Sequence, residues 1–193
     1  MKIIGLGLNY KQCYQDGSYK EPVLFLKGDN TLLFNNGDII YPEFVDKVWV
    51  EAELAIVVNY GFTFANDITA ENVDDRDHHL ARSKSLDTFC PIFNKIVTFD
   101  SINPYYQRYK TYINDKLVQD ASTEDMILNY KQVLRFVSNK MKLNSGDIIL
   151  TGTHPGSATL GNKEHIMTDG IIKKGDIVRI EFPNIGVMEN RVI

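Results

Sequence analysis

The sequence predicts an α+β fold rich in strands, with a mixed β-sheet core and few peripheral helices. Three features predict it. Short β-branched stretches separated by turns fill most of the chain. A Gly-Asp turn precedes such a stretch three times, and only one segment carries strong helical periodicity. Lys2–Leu8 and Val23–Lys27 read as the first two strands. Gly37-Asp38-Ile39-Ile40, Gly146-Asp147-Ile148-Ile149 and Gly175-Asp176-Ile177-Val178 each place a turn ahead of strand formers. The lengths between them differ, so one turn solution recurs and no domain repeats. Val48–Val58, with its Val, Ile and Trp, is the strongest strand candidate. For the helix, Ser122 or Thr123 serves as cap and Glu124 and Asp125 occupy the first turn. Ile127, Tyr130, Leu134, Val137 and Met141 then recur at helical spacing until Asn144-Ser145-Gly146 closes it. A second, shorter helical stretch is expected over Thr69–Leu80.

The 193 residues are 44% hydrophobic and 24% charged, which suits one compact domain, 1–193, and leaves little room for two. Net charge is −4 and no long basic run occurs, so electrostatics give no reason to expect nucleic acid or an anionic membrane as partner. An anionic small molecule stays open, because a bound cation reverses the local field. Cys13 and Cys90 are too few for a disulfide scaffold and lack metal-ligand spacing, so reduced thiols in a cytoplasmic protein are expected. The start, Met1-Lys2-Ile3-Ile4-Gly5-Leu6-Gly7-Leu8, is too short and glycine-punctuated for a secretory leader. No apolar run approaches the roughly 18 residues that span a bilayer.

Glu51 and Glu53 lie two apart in the Val48–Val58 strand and so share a face with Trp49, Ala55 and Val57, while Val50, Ala52 and Leu54 fill the other. Both faces read as buried. Two carboxylates on a buried face repel each other and lose hydration unless a cation neutralises them. Arg or Lys could serve; a hard divalent cation such as Mg²⁺ suits oxygen ligands better. An edge strand that turns both glutamates to water satisfies the same pattern. Asp67, in Asn66-Asp67-Ile68-Thr69-Ala70, offers either a third carboxylate or a helix N-cap, and periodicity alone does not bring it to the pair.

Seven segments stand in a telling order. Gly7-Leu8-Asn9-Tyr10 is similar to a G-x-N-Y motif, and Pro22-Val23-Leu24-Phe25-Leu26-Lys27 to P-x-x-F-x-K. Glu51-Ala52-Glu53-Leu54-Ala55 is similar to E-x-E-L-A, and Asn66-Asp67-Ile68-Thr69-Ala70 to N-D-x-T-A. Ser83-Lys84-Ser85-Leu86-Asp87-Thr88-Phe89 looks like K-x-F-D-T, and Gly146-Asp147-Ile148-Ile149-Leu150-Thr151-Gly152-Thr153 like G-D-x-I-x-T-G-T. The ending Gly175-Asp176…Ile185-Gly186…Asn190 resembles a closing G-D…I-G…N. Each motif alone is weak. In this order they resemble the fumarylacetoacetate hydrolase family over nearly the whole chain.

The resemblance implies a mixed β-sandwich roll, a homodimer, and Mg²⁺ (Mn²⁺ or Ca²⁺ in some members) on Glu51, Glu53 and Asp67. It implies action on small 2-oxo acids and their enols: C–C hydrolysis of acylpyruvates, decarboxylation, hydration or keto–enol isomerisation. A cation chelated by the substrate's carboxylate and 2-oxo oxygen would act as a Lewis acid for the enolate. Lys84 would add positive charge beside that oxygen. Thr153, with the amides of the Thr151-Gly152-Thr153 turn, would hold the substrate carboxylate. Lys27 is a weaker candidate for that work, since an exposed lysine at a strand end fits it equally.

The chain also departs from the pattern. Hydrolytic members carry a lid His-x-x-Glu pair that activates water; here those positions hold Cys13 and Asp16. A thiol, with a pKa of about 8.5, is a poor substitute for imidazole. Tautomerisation or decarboxylation is therefore expected ahead of hydrolysis, with a non-catalytic binder of metal and dicarboxylate as the alternative of another class. The stretch between Glu53 and Asp67 is short for the family, and Glu71-Asn72 replaces a usual Arg-Asp. His78, His79, His154 and His165 fall outside the family's catalytic positions. His154, where a proline is usual, could act as a base close to the metal or face solvent from a loop.

Overall fold

The computed structural model describes residues 1–14, 17–72, 77–155 and 170–193. Its strands are β1 (Ile3–Gly7), β2 (Val23–Lys27), β3 (Leu32–Phe34), β4 (Val48–Trp49), β5 (Ala52–Val57), β6 (Gly61–Asn66), β7 (Thr69–Ala70), β8 (Cys90–Ile92), β9 (Arg108–Ile113), β10 (Lys116–Ser122), β11 (Ile148–Leu150), β12 (Ile171–Ile172), β13 (Ile177–Phe182) and β14 (Gly186–Arg191). The α-helices are α1 (Ala81–Lys84) and α2 (Tyr130–Ser138). The expected strand-rich roll with few helices is what forms. A seven-stranded sheet runs β2-β1-β11-β5-β6-β8-β3, a four-stranded sheet β10-β9-β13-β14, and a three-stranded sheet β12-β4-β7. The large sheet is mixed, since β1 pairs with β11 and β3 with β8 in parallel while its other pairs are antiparallel.

Strand alternation separates two apolar layers. Ile4, Leu6, Leu54, Ile56, Phe62 and Phe64 join Tyr109, Val178, Ile180 and Phe182 of the four-stranded sheet in the main core. Phe182 stacks on Phe64 and on Tyr109 at 4.9 and 4.7 Å between ring centroids, which fastens the two sheets together. Helix α2 adds Val133 and Val137 to that core. Ile3, Ala55, Ala65, Cys90, Ile92, Ile148 and Leu150 form a second cluster on the opposite face of the large sheet. Glu53 shares that face with Ala55. The carboxylates thus sit beyond the main core, against a small apolar layer. Among the described residues no helix is long and apolar enough to cross a membrane.

Several elements differ from expectation. Val48–Val58 is two strands, because the chain leaves the three-stranded sheet after Trp49 and joins the large sheet at Ala52. The expected long helix is a 3₁₀ turn over Thr123–Asp125, capped by the Ser122 hydroxyl, followed by α2, which ends at Ser138. Asn129 and Gln132 form a reciprocal capping box that starts α2. The acidic first turn and the apolar repeat therefore belong to different elements. The described parts of Thr69–Leu80 are not helical: β7 opens it and α1 begins only at Ala81, while residues 73–76 lie outside the described set.

Two of the three Gly-Asp turns lead into strands by one device. Asp147 accepts from the amide of Asn144 at 2.8 Å, and Asp176 from that of Lys173 at 2.8 Å, while Gly146 and Gly175 take φ of 83° and 92°. Gly37-Asp38 instead leads to a single bridge between Ile39 and Val192.

Asp147 also accepts from the Lys2 amide at 2.8 Å and pairs with the Lys2 ammonium at 2.5 Å. Burial works to raise its pKa, but the Lys2 and Asn144 bonds outweigh this and hold it below the ordinary value. A carboxylate with a depressed folded pKa contributes stability that is present above its unfolded pKa of about 3.9 and lost as pH falls through the folded value. Asp147→Asn should therefore cost about 1–3 kcal/mol at pH 7. The gap between variant and wild type should close below about pH 4. Urea unfolding at pH 7 and pH 3 measures it, and a gap of the same size at both would refute the assignment.

Candidate metal centre

Two breaks in strand pairing create the site. Trp49 pairs with Thr69 in one sheet and Ala52 with Asn66 in another, which leaves Val50 and Glu51 opposite Asp67 and Ile68 at the joint between the sheets. The Asp67 amide donates to the Glu51 carbonyl at 2.8 Å, and the Glu51 amide to Asn66 Oδ1 at 2.8 Å. Asp67 precedes a strand, so the N-cap reading is excluded. The edge-strand reading fails as well: Glu51, Glu53 and Asp67 are 4%, 1% and 1% exposed. One oxygen from each lies within 4.8 Å of the others.

Two lysines meet them. Lys84 Nζ lies 2.6 Å from Glu51 Oε2 and 2.6 Å from Asp67 Oδ2, and Lys27 Nζ lies 2.5 Å from Asp67 Oδ1. Lys27 is buried, contrary to the picture of an exposed strand end. It reaches the carboxylates because it shares the outer face of β2 with Phe25. That ring lies against Gly5, where a Cβ would come within 2.2 Å of it. The same ring sits 5.1 Å from the Lys84 ammonium. Lys84 is delivered by α1, whose turn is tied by Asp77 accepting from the Ser83 amide and hydroxyl at 2.6 Å each.

Among the described residues the charges do not balance: three buried carboxylates face two ammonium groups. Glu53 forms no ion pair among the described residues, and it accepts from the Gly152 amide at 2.7 Å. Burial, then Asp67 and Glu51, push its carboxyl well above the ordinary range. Asp67 goes the other way: burial opposes ionisation, but Lys27 and Lys84 outweigh it. An uncompensated buried oxygen donor beside two more is what a hard divalent cation fits.

The Thr151-Gly152-Thr153 turn supports this cluster. Thr151 bonds the Leu54 carbonyl through amide and hydroxyl, at 3.1 and 2.8 Å. Gly152, at φ 94°, packs so close to Asn9 and the Leu6 carbonyl that a Cβ would meet them at 3.0 and 3.1 Å. The donors of Thr151 and Gly152 are thus spent on holding the site together. Thr153 remains the turn's half-buried hydroxyl, and it donates to the Ala52 carbonyl at 3.0 Å.

His154 follows on a clamped backbone. Its amide donates to the Tyr109 hydroxyl at 3.2 Å, and Tyr109 in turn donates to Tyr10 at 3.1 Å. Its ring meets the Tyr10 ring edge-on at 5.8 Å, and its Nδ1 is buried without a hydrogen-bond partner among the described residues. The residue is in a loop and half-buried, with Nδ1 turned away from solvent. Burial lowers the imidazole pKa against the opposing pull of Asp125, which favours the neutral ring. Cys13 ends a 3₁₀ turn packed on the main core. Burial raises its thiol pKa, the Tyr10 backbone works against that, and Glu51 adds to the rise, so it stays a thiol. Asp16 and His165 lie outside the described residues, and His78 and His79 are exposed. Glu71 accepts from the Asp46 amide at 2.5 Å, a bond that the usual Arg could not make. Tyr10, Tyr109, Thr111 and Gln119, which surround Thr153 and His154, carry no local sequence signal apart from Tyr10 in its motif.

A family model for the C-terminal region of fumarylacetoacetate hydrolase matches residues 59–193. An uncharacterized protein of Methanocaldococcus jannaschii is 34% identical, with 99% of this chain and 82% of that protein aligned. The mitochondrial oxaloacetate tautomerase FAHD2B of Bos taurus is 31% identical over 100% of this chain, which spans 66% of the bovine enzyme's length. A 5-carboxymethyl-2-hydroxymuconate delta-isomerase of Mycobacterium smegmatis superposes with a TM-score of 0.86 at 30% identity, covering 100% of this chain and 76% of that one. Fumarylacetoacetate hydrolase from psychrophilic Exiguobacterium antarcticum gives 0.86 at 29%, covering 99% and 74%.

Proposed function

The chain belongs to the fumarylacetoacetate hydrolase family, and on that premise we propose that it is a divalent-metal-dependent enzyme that interconverts keto and enol forms of a small 2-oxo acid such as oxaloacetate. The observation that carries this reading is Glu53, a buried carboxylate with no ammonium among the described residues, beside two that have one. Glu51, Glu53 and Asp67 would hold the cation, Mg²⁺ by preference and Mn²⁺ or Ca²⁺ otherwise, given the all-oxygen donor set. When bound it supplies Lewis-acid stabilisation of negative charge on the 2-oxo oxygen.

The other roles belong to side chains. Lys84 places a permanent positive charge where that oxygen gains electron density. Lys27 keeps Asp67 ionised. The Gly152 amide aims Glu53, the Thr153 hydroxyl meets the substrate carboxylate, and the neutral imidazole of His154 carries the proton to and from carbon. Cys13, packed and protonated, activates no water, which ranks tautomerisation and decarboxylation above acylpyruvate hydrolysis. The proposed working unit is a homodimer of one-domain chains, which sedimentation at micromolar concentration checks.

The test is a screen of oxaloacetate and acylpyruvates with Mg²⁺ or Mn²⁺. Enol–keto conversion of oxaloacetate with a kcat on the order of 1 s⁻¹ or above supports the reading. Acylpyruvate cleavage at such a rate replaces it with the hydrolase reading. Cation binding with no turnover of any of them leaves a binding protein.

A further inference from the structure

Gln119 is 3% exposed, on β10, in the sheet that does not carry the carboxylates. The β10–β9 register shifts between Leu117 and Gln119, and this irregularity sits next to the side chain in question. Gln119 Nε2 donates to Thr153 Oγ1 and to the His154 carbonyl, both at 3.0 Å, and Gln119 Oε1 accepts from the Thr111 hydroxyl at 2.8 Å. The amide orientation is dictated by chemistry. A carbonyl oxygen only accepts, so the nitrogen must face His154, and Thr111 must then donate to the oxygen. Every hydrogen of this buried amide is committed.

That polarity propagates to Thr153. A hydroxyl has one hydrogen, and the lone pair facing Gln119 is filled by an N–H. The Thr153 proton cannot point at Gln119. Among the described residues its acceptors are the Ala52 carbonyl at 3.0 Å and the Tyr109 oxygen beside it, with the His154 carbonyl marginal at 3.5 Å. All are weaker attractors than an anion.

We infer that Gln119 is a positioning residue that makes Thr153 an obligate hydrogen-bond donor, and so sets the substrate pocket to select a carboxylate. This rests on the reading that Thr153 meets the substrate carboxylate. Gln119 touches neither substrate nor cation; it acts through the direction of one proton. A glutamate in its place would reverse the polarity, drawing the Thr153 proton toward itself and presenting a lone pair to the ligand. A methionine would fill the space with neither donor nor acceptor of comparable strength.

The experiment compares wild type, Gln119→Glu and Gln119→Met as full chains. Calorimetry reads Mg²⁺ alone, then oxalate with Mg²⁺ present, and kinetics read KM and kcat for oxaloacetate. In both variants oxalate affinity should fall by about tenfold or more and KM should rise in step, the loss of one charge-assisted hydrogen bond. Mg²⁺ affinity and kcat should stay within about threefold, under 1 kcal/mol. If either variant melts like the wild type and binds oxalate equally well, the inference is wrong. If both Mg²⁺ affinity and kcat collapse together, Gln119 is merely structural and the inference is again wrong. Should Gln119→Glu fail to fold, the neutral methionine variant decides. A wild type that binds neither Mg²⁺ nor oxalate overturns the proposed function itself, and this inference with it.

Discussion

Glu53→Gln is expected to abolish cation binding while leaving the cation-free protein at least as stable as the wild type. The amide keeps an oxygen for the Gly152 N–H and removes the carboxylate that lacks an ammonium partner. In the cation-free chain that group is a burden: burial and two neighbouring carboxylates oppose its ionisation. With three buried carboxylates and two ammoniums, its removal leaves two of each. Losing an outer-shell partner already costs a metal site about 10–100-fold in affinity, so losing a ligand should exceed that. Turnover should drop to background. Calorimetry with Mg²⁺ and Mn²⁺, alongside melting in EDTA, separates the effects. Undiminished affinity would remove Glu53 from the metal site. Intact affinity in a Glu51→Ala, Glu53→Ala variant would dismiss the whole assignment.

The second large effect concerns Lys84. Its ammonium bridges Glu51 and Asp67, and those carboxylates raise its pKa despite the opposing effect of burial. Lys84→Met leaves Glu51 buried without a positive partner, an arrangement that typically costs about 3–5 kcal/mol. A divalent cation restores the missing charge. The variant should therefore be markedly unstable in EDTA and gain far more in melting temperature from Mg²⁺ than the wild type does. Its turnover should still be low, by about a hundredfold to a thousandfold, since the charge beside the reacting oxygen is gone. Wild-type stability in EDTA together with wild-type turnover would show that Lys84 is neither counter-ion nor catalyst. The two variants are opposite in sign: one improves the empty site and ruins the loaded one, the other ruins the empty site and makes folding lean on the metal.

Both follow from one arrangement. Among the described residues, three carboxylates and two lysines leave one carboxylate without an ammonium, and that excess of negative charge favours a bound cation. Cys13 belongs to the same account. Its raised thiol pKa and core packing suit a residue relieved of water activation rather than one adapted to it.

Much of this was legible along the chain. The Gly-Asp turns could be read locally because their parts, a left-handed glycine and an aspartate that accepts from the residue three before it, lie within four positions. Strands β1 and β2 were legible for the same reason, as was the wish of Glu51 and Glu53 for a counter-charge. Val48–Val58 reads as one strand along the chain, because alternation cannot report that it changes sheets at Val50 and Glu51. The acidic turn and the apolar repeat run together along the sequence, but they belong to two elements, and Asn129 caps the helix.

What the sequence by itself determined was the set of ingredients: strand formers, turn chemistry, seven ordered motifs and three candidate carboxylates. What only the tertiary structure decided was the company they keep. The joint between two sheets sets Glu51 against Asp67, the outer face of β2 delivers Lys27, and α1 delivers Lys84. Gln119 reaches Thr153 from 34 residues away, across from another sheet. The physical reason is range. Local geometry is written in neighbouring residues, whereas the charge balance of a buried site depends on groups that meet only once the sheets have closed on one another.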